Sequence, residues 1–255
     1  MQISFVYRFD LIGYLLVELI AISGIVILWF TIYRDQGNIE GLTLEDISLY
    51  YFFLPLIGTF TMVEVSRALG YHIKDGFLSY MLLHPIKVSG VYVSNDLGRK
   101  IYPILTTSII YVLIMLLLHF SFDFDSGIEL QGVFFMGIFI LLALILHYVF
   151  DLAVAYLAFW VDDVWGFAHF KFLAFSVLGG LSFPFELVGG EFRWVLELLP
   201  FKYMYYVPVS YLLGKRAEDD LWFDLIIWSI WLALISILAY FIWKRGIKKY
   251  AAYGN

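Results

Sequence analysis

The chain contains no cysteine, which excludes disulfides, thiolate metal sites and cysteine nucleophiles. Charge is scarce as well: Asp, Glu, Lys and Arg make up 15% of the 255 residues, and only six residues are proline. There is no low-complexity tract, no internal repeat and no Gly-x-x-x-x-Gly-Lys-Ser/Thr phosphate loop. Nor is any soluble stretch long enough to hold one, so the chain cannot hydrolyse ATP by itself. Hydrophobicity takes the place of charge, with 62% apolar residues and a mean hydropathy of +0.86. That is more apolar surface than a soluble domain of this length can bury, so the expected solvent is the bilayer.

The apolar residues fall into six helix-length blocks, each near the ~20 residues a span requires. They are 11–33, 47–66, 101–120, 133–160, 165–187 and 222–243. The first lacks a small-residue cleavage site and reads as a retained helix. Six spans put both termini on one side. That side carries Arg8, Arg67, Lys74, Lys87, Arg99, Lys100, Lys244, Arg245, Lys248 and Lys249. The other carries Arg34, Arg193, Lys202, Lys215 and Arg216, with Lys171 inside the fifth block. The bias makes both termini cytoplasmic in a cell membrane. The net charge of −6 sums a basic inner face and an acidic outer one, so it identifies no partner. The expected fold is a single all-α polytopic domain over residues 1–255. No cofactor, bound metal or nucleic-acid partner is expected.

Three segments are neither spans nor simple turns. The inner loop 67–100 is longer than a helix hairpin needs. Within it, the run from Lys74 to Pro85 reads as a short apolar helix stopped by proline. Such a helix lies on the inner leaflet or its own bundle, or docks a cytoplasmic partner. The segment 188–214 holds Glu191, Arg193, Glu197, Lys202, Pro200 and Pro208, too polar and too broken to cross alone. It reads as an outer re-entrant or interfacial helix pair, in which Trp194, Tyr203, Tyr205, Tyr206 and Tyr211 suit the headgroup region. The tail from Trp243 to Tyr250 is a basic collar that suits anionic lipid.

Four short runs then stand together: Gly41 to Asp46 leading into Tyr50-Tyr51; Gly76-Phe77-Leu78 with Leu82-Leu83-His84-Pro85; Leu199 to Met204 with Pro208 and Gly214; and Arg245 to Tyr250. In that order, at those topological positions, the chain resembles the ABC-2 type permeases, most closely the viologen-exporter-like group. The resemblance covers nearly the whole chain. It departs at His84, where family members often carry Arg, and at Val188-Gly189-Gly190, where they often carry proline. It implies the membrane subunit of an ATP-binding-cassette transporter, with export as the usual direction. The partners it implies are a second permease subunit, as homodimer or heterodimer, and separate ATPase subunits beneath. Gly76, Phe77, Leu78, Leu82, Leu83, His84 and Pro85 would form the coupling helix. Gly180, Pro184, Pro200, Phe201 and Pro208 would shape the outer re-entrant segment.

Ionisable residues inside the blocks bear on the transported molecule, since each costs on the order of 2.5 to 3.5 kcal/mol in the hydrocarbon and needs a partner or water. Four of them, Glu18, Glu64, Asp151 and Lys171, lie in the inner half. One expectation is mutual pairing, Glu64 with Arg67 and Lys171 with Glu18 or Asp151. The other is an acidic inward vestibule along a translocation path for a cationic or amphipathic substrate. His147 and Asp151, four apart on one helix face, leave a rival class open: an intramembrane hydrolase or metalloenzyme.

Overall fold

The computed structural model describes residues 20, 23–24, 27–34, 38–122 and 127–252. Most of the expected first span, with Arg8 and Glu18, and the outer acidic residues Asp123 and Asp125 lie outside them. Among the described residues the fold is all-helical, its one β feature being an isolated Ile39–Leu42 bridge. Helix α1 is seen over 27–33. A turn through Glu40 and Gly41, both at positive φ, leads to the cap of α2, Leu44–Thr61. Thr43 closes a capping box there: its Oγ1 accepts from the Asp46 amide at 3.2 Å, and Asp46 Oδ2 accepts from the Thr43 amide at 2.9 Å.

The expected second span does not run unbroken. After Thr61 the chain becomes extended at Met62 (ψ 129°), then re-enters a helix as α3, Val65–Lys74. The alternating Thr59, Thr61, Val63 and Val65 supply β-branched residues that weaken a helix at this point. Helix α3 is amphipathic, burying Val65, Leu69, Gly70 and Ile73 while Arg67 and Lys74 face out. Gly70 permits the close approach, since a Cβ there would lie 2.6 Å from Val164 Cγ2.

The loop expected over 67–100 is almost wholly helical. Gly76, at φ 86°, turns the chain from α3 into α4, Phe77–Leu82, and α5 already begins at Val88. Helix α5, Val88–Phe122, is about 52 Å long at 1.5 Å per residue. Helix α6, Leu130–Tyr156, ends in a 3₁₀ turn, Leu157–Phe159. It is the hub, packing on α2 and α3 and, of the segments named next, on Trp165–Leu178, Pro200–Met204, Tyr206–Leu212 and Asp220–Ala252. Helix α7, Trp165–Leu178, is followed by a 3₁₀ turn Phe185–Leu187, α8 Gly190–Leu198, a 3₁₀ turn Pro200–Met204, α9 Tyr206–Leu212 and α10 Asp220–Ala252.

Among the described residues, four segments are long and apolar enough to cross a bilayer: Leu44–Lys74, Val88–Phe120, Leu130–Phe159 and Asp220–Tyr250. The fifth expected span is helical for only 14 residues, about 21 Å, less than the ~30 Å hydrocarbon core. Gly179-Gly180 ends it, and α2 pins the turn: Tyr50 Oη donates to the Gly180 carbonyl at 2.5 Å and Tyr51 Oη to the Ser182 carbonyl at 2.8 Å.

The outer tyrosines correct the headgroup expectation. Tyr203, Tyr205, Tyr206 and Tyr211 are buried in the protein, and Trp194 alone of that set is exposed. Their hydroxyls do not need the interface, because Tyr203 Oη donates to the Asp224 carbonyl at 2.7 Å and Tyr206 Oη to Glu186 Oε1 at 2.9 Å.

Gly180 sits at φ 91°, and a Cβ there would meet Tyr206 Cβ and Tyr50 Oη at 2.7 Å. Gly180→Ala is expected to destabilise the detergent-solubilised protein by about 1 to 3 kcal/mol, read as a lowered Tm. Gly98→Ala, where a Cβ meets nothing within 4 Å, is the control and should leave Tm unchanged or raised. Equal Tm for Gly180→Ala and wild type would refute the packing argument.

Candidate translocation site

The break between α2 and α3 frees backbone groups inside an apolar bundle, and side chains from α6 and α7 take them up. His147 Nδ1 donates to the Thr61 carbonyl at 2.7 Å. A carbonyl only accepts, so Nδ1 carries a proton; Nε2 is buried with no hydrogen-bond partner among the described residues. Lys171 Nζ donates to the Val63 carbonyl at 3.0 Å and forms an ion pair with Asp151 Oδ1. Asp151 Oδ2 accepts from the Ser66 amide at 2.7 Å. The expected path residues therefore separate: Asp151 is wholly buried and Lys171 nearly so, whereas Glu64 is exposed and only 3.9 Å-paired with Arg67.

Two cavities flank the break and share Met62, Glu64 and Tyr205 in their walls. The smaller, about 240 Å³, is lined also by Arg67, His147, His169 and Lys171. The larger, about 580 Å³, lies between α2 and α5 and is lined by Gly58, Thr59, Asp96, Arg99, Lys100 and Thr106 among others. Asp96 accepts from Tyr148 Oη at 2.7 Å and lies 3.3 Å from Lys100 Nζ. Carboxylates do not dominate these walls: Glu64 and Asp96 stand against Arg67, Arg99, Lys100 and Lys171. The lining is charge-mixed, not acidic.

A second polar cluster ties the outer segment to α10. Asp224, buried near its start, receives Lys202 Nζ at 2.7 Å, Arg216 Nη2 at 2.9 Å and Tyr211 Oη at 3.2 Å. Glu197 holds Lys202 at 3.0 Å and takes Arg216 through both of its guanidinium Nη atoms at 3.0 Å. Two cations face two carboxylates, so the cluster is neutral. Burial alone would raise the Glu197 carboxyl, but Arg216 and Lys202 hold it below its ordinary value of 4.5. Sequence reasoning missed this cluster and Asp96. Asp224 was a readable signal, a carboxylate two residues into the last apolar block.

The remaining expected residues lie as follows. Gly180 makes the turn after α7, Pro184 and Pro200 precede and start the 3₁₀ turns, Pro208 lies in α9, and Phe201 packs on Phe175 at 5.4 Å. In α4 and its exit, Leu78 is buried, whereas Phe77, Tyr80 and Leu82 are exposed and Leu83 is 83% exposed. His84 Nδ1 donates to the Tyr80 carbonyl at 3.0 Å just before Pro85. The elbow is braced from behind by a hydrogen bond of His72 with Tyr92 and by Ser79 Oγ, 2.9 Å from Tyr250 Oη.

The hydrolase alternative finds no support. Among the described residues no three His, Asp or Glu converge on a metal site, and His147 and Asp151 are bonded to backbone groups of the break.

Residues 19–254 match the model of the family described as ABC-2 family transporter protein, and the chain belongs to that family. It is the membrane permease component of an ABC transporter, a transport subunit and a multi-pass membrane protein. No curated protein and no solved structure matches the chain.

Lys171→Met leaves Asp151 charged, buried and unpaired, and is expected to cost about 3 to 5 kcal/mol in unfolding measurements. Adding Asp151→Asn removes that charge while keeping an acceptor for Ser66, so the double variant should be more stable than Lys171→Met alone. A double variant no better than the single one would show that the pair's charge is not what matters. In the outer cluster the sign follows from the lowered Glu197: its contribution is present above pH 4.5 and fades as pH falls through the folded-state value. The Tm difference between wild type and Glu197→Gln should accordingly be constant near neutral pH and shrink below pH 4.5; a gap that widens on acidification would overturn the assignment.

Proposed function

We propose that this permease crosses the cytoplasmic membrane six times with both termini inside, pairs with a second permease subunit, and exports an amphipathic small molecule, peptide or lipid-like substrate. The energy comes from ATP hydrolysis on separate ATPase subunits, on which α4 docks as the coupling helix. The observation that carries this reading is the two-sidedness of the elbow. Leu78 and Met81 anchor α4 in the core, while Phe77, Tyr80, Leu82 and Leu83 present an exposed apolar face. A six-residue helix with such a face gains little by exposing it unless a partner covers it.

The substrate path runs past the break, where Glu64 borders both cavities, and Asp151 with Lys171 sets the local backbone that shapes them. The mixed lining supports an amphipathic substrate above a simple cation. Gly180, Pro184, Pro200, Phe201 and Pro208 form the outer closure of that path.

The test is the Leu82→Asp, Leu83→Asp double variant. Both residues are exposed, so the fold should lose little, and the variant should insert normally. Co-purification with the ATPase subunit from native membranes in mild detergent is expected to drop at least tenfold. Retention of a stoichiometric complex would sink the coupling role.

A further inference from the structure

A cleft of about 450 Å³ lies at the inner end of the bundle, away from both cavities at the break. It opens between the α4–α5 turn, α6 and α10. Its walls are apolar, supplied by Ile86, Val149, Leu152 and Ala239, and its polar rim holds Lys87, Ser89 and Tyr240. Tyr240 carries Lys244 Nζ, 5.7 Å from its ring centroid, which brings a second ammonium to that rim. Among the described residues, neither Lys87 nor Lys244 forms a salt bridge, and both are exposed. The opposite face of α10 exposes Leu234, Ile237, Leu238 and Phe241, which suits acyl chains and not water. Trp243, in tilted and edge-on contact with Tyr156 at 4.8 Å and Phe159 at 5.7 Å, gives the rim the aromatic character of a headgroup boundary.

From this arrangement we infer that the cleft is a binding site for one anionic phospholipid, its acyl chain between α6 and α10 and its phosphate on Lys87 and Lys244. The chemistry fits that occupant on both counts. The slot accepts an alkyl chain at no polar cost, and two unpaired ammoniums at a cytoplasmic boundary attract an anionic headgroup but gain little from a zwitterionic one. A second protein chain would have to match both a narrow apolar slot and two cations at its lip. The site is independent of which molecule the permease transports and of which ATPase it uses.

The experiment is native mass spectrometry of the protein released from nanodiscs of equal phosphatidylglycerol and phosphatidylcholine. Two lysines at the headgroup give an expected preference for retained phosphatidylglycerol of about tenfold or more. Lys87→Gln with Lys244→Gln should bring that preference to within about twofold while leaving Tm in pure phosphatidylcholine unchanged. Leu152→Trp, which fills the slot, should lower retention of both lipids. The inference is overturned if the wild type shows no preference, or if the double glutamine variant keeps it. It is equally overturned if Lys248→Gln with Lys249→Gln abolishes the preference as fully, because the lipid would then sit on the tail and not in the cleft.

Discussion

A helix interrupted inside an apolar bundle leaves carbonyls and amides that neither acyl chains nor leucine side chains can satisfy, and the placement of α6 and α7 follows from how they are met. Each buried unpaired group costs about 1 to 3 kcal/mol. Here the Thr61 and Val63 carbonyls and the Ser66 amide are taken by His147, Lys171 and Asp151. Those three side chains come from α6 and α7, so the break fixes the register of both helices against α2 and α3. Moving α6 along its axis would reopen the Thr61 carbonyl and the Ser66 amide together, and moving α7 the Val63 carbonyl.

The same logic governs the outer half with different chemistry. Asp224, Lys202, Glu197 and Arg216 form a neutral, buried network that fastens the irregular segment between α7 and α10. Breaking one member leaves a partner charged and buried, which is a larger penalty than the network's net gain. Short helices and 3₁₀ turns, poor in their own hydrogen bonds to neighbours, are thereby tied to α10. Tyr203 and Tyr211 add bonds to the same aspartate, and so their rings turn inward instead of toward the headgroups.

Membrane residence, the all-helical class, and the elbow around Gly76 to Pro85 were legible because each rests on local pattern: apolar run length, glycine at a left-handed turn, proline as a stop. Tyr50-Tyr51 was visible as a motif, but its role in pinning the Gly180 turn 130 residues away was not. The break after Thr61 was not legible either, since no Gly or Pro marks it and its stability lies in side chains from helices 85 to 108 residues distant. Asp151 and Lys171 read either as partners of each other or as candidates for substrate contact, and the ion pair between them meets the first expectation. Sequence shows that a buried charge needs a partner; it does not show that the partner is a backbone amide. Loop 67–100 was misjudged for a simpler cause, because polar residues on one face of α3 and of early α5 lower the mean hydropathy without ending a helix.

Helix α3 connects the elbow to the break, and its geometry sets what a push on α4 can do. Ten residues make a rod of about 15 Å, too short to bend appreciably. Its two soft joints are Gly76, in the left-handed region, and the non-helical Met62–Glu64 step. Under the proposed function, displacement of α4 is therefore delivered to the break, where Met62 and Glu64 border both cavities. To rearrange there, the chain must exchange the Ser66–Asp151 and Val63–Lys171 bonds. Charge-assisted bonds of this kind contribute about 1.5 to 3 kcal/mol each, so the two together oppose the change by about 3 to 6 kcal/mol. Reversing a two-state population from 1:99 to 99:1 takes about 5.5 kcal/mol of differential binding. Under the proposed function, two bonds of that summed strength are of the size that a partner's grip on the elbow would have to overcome.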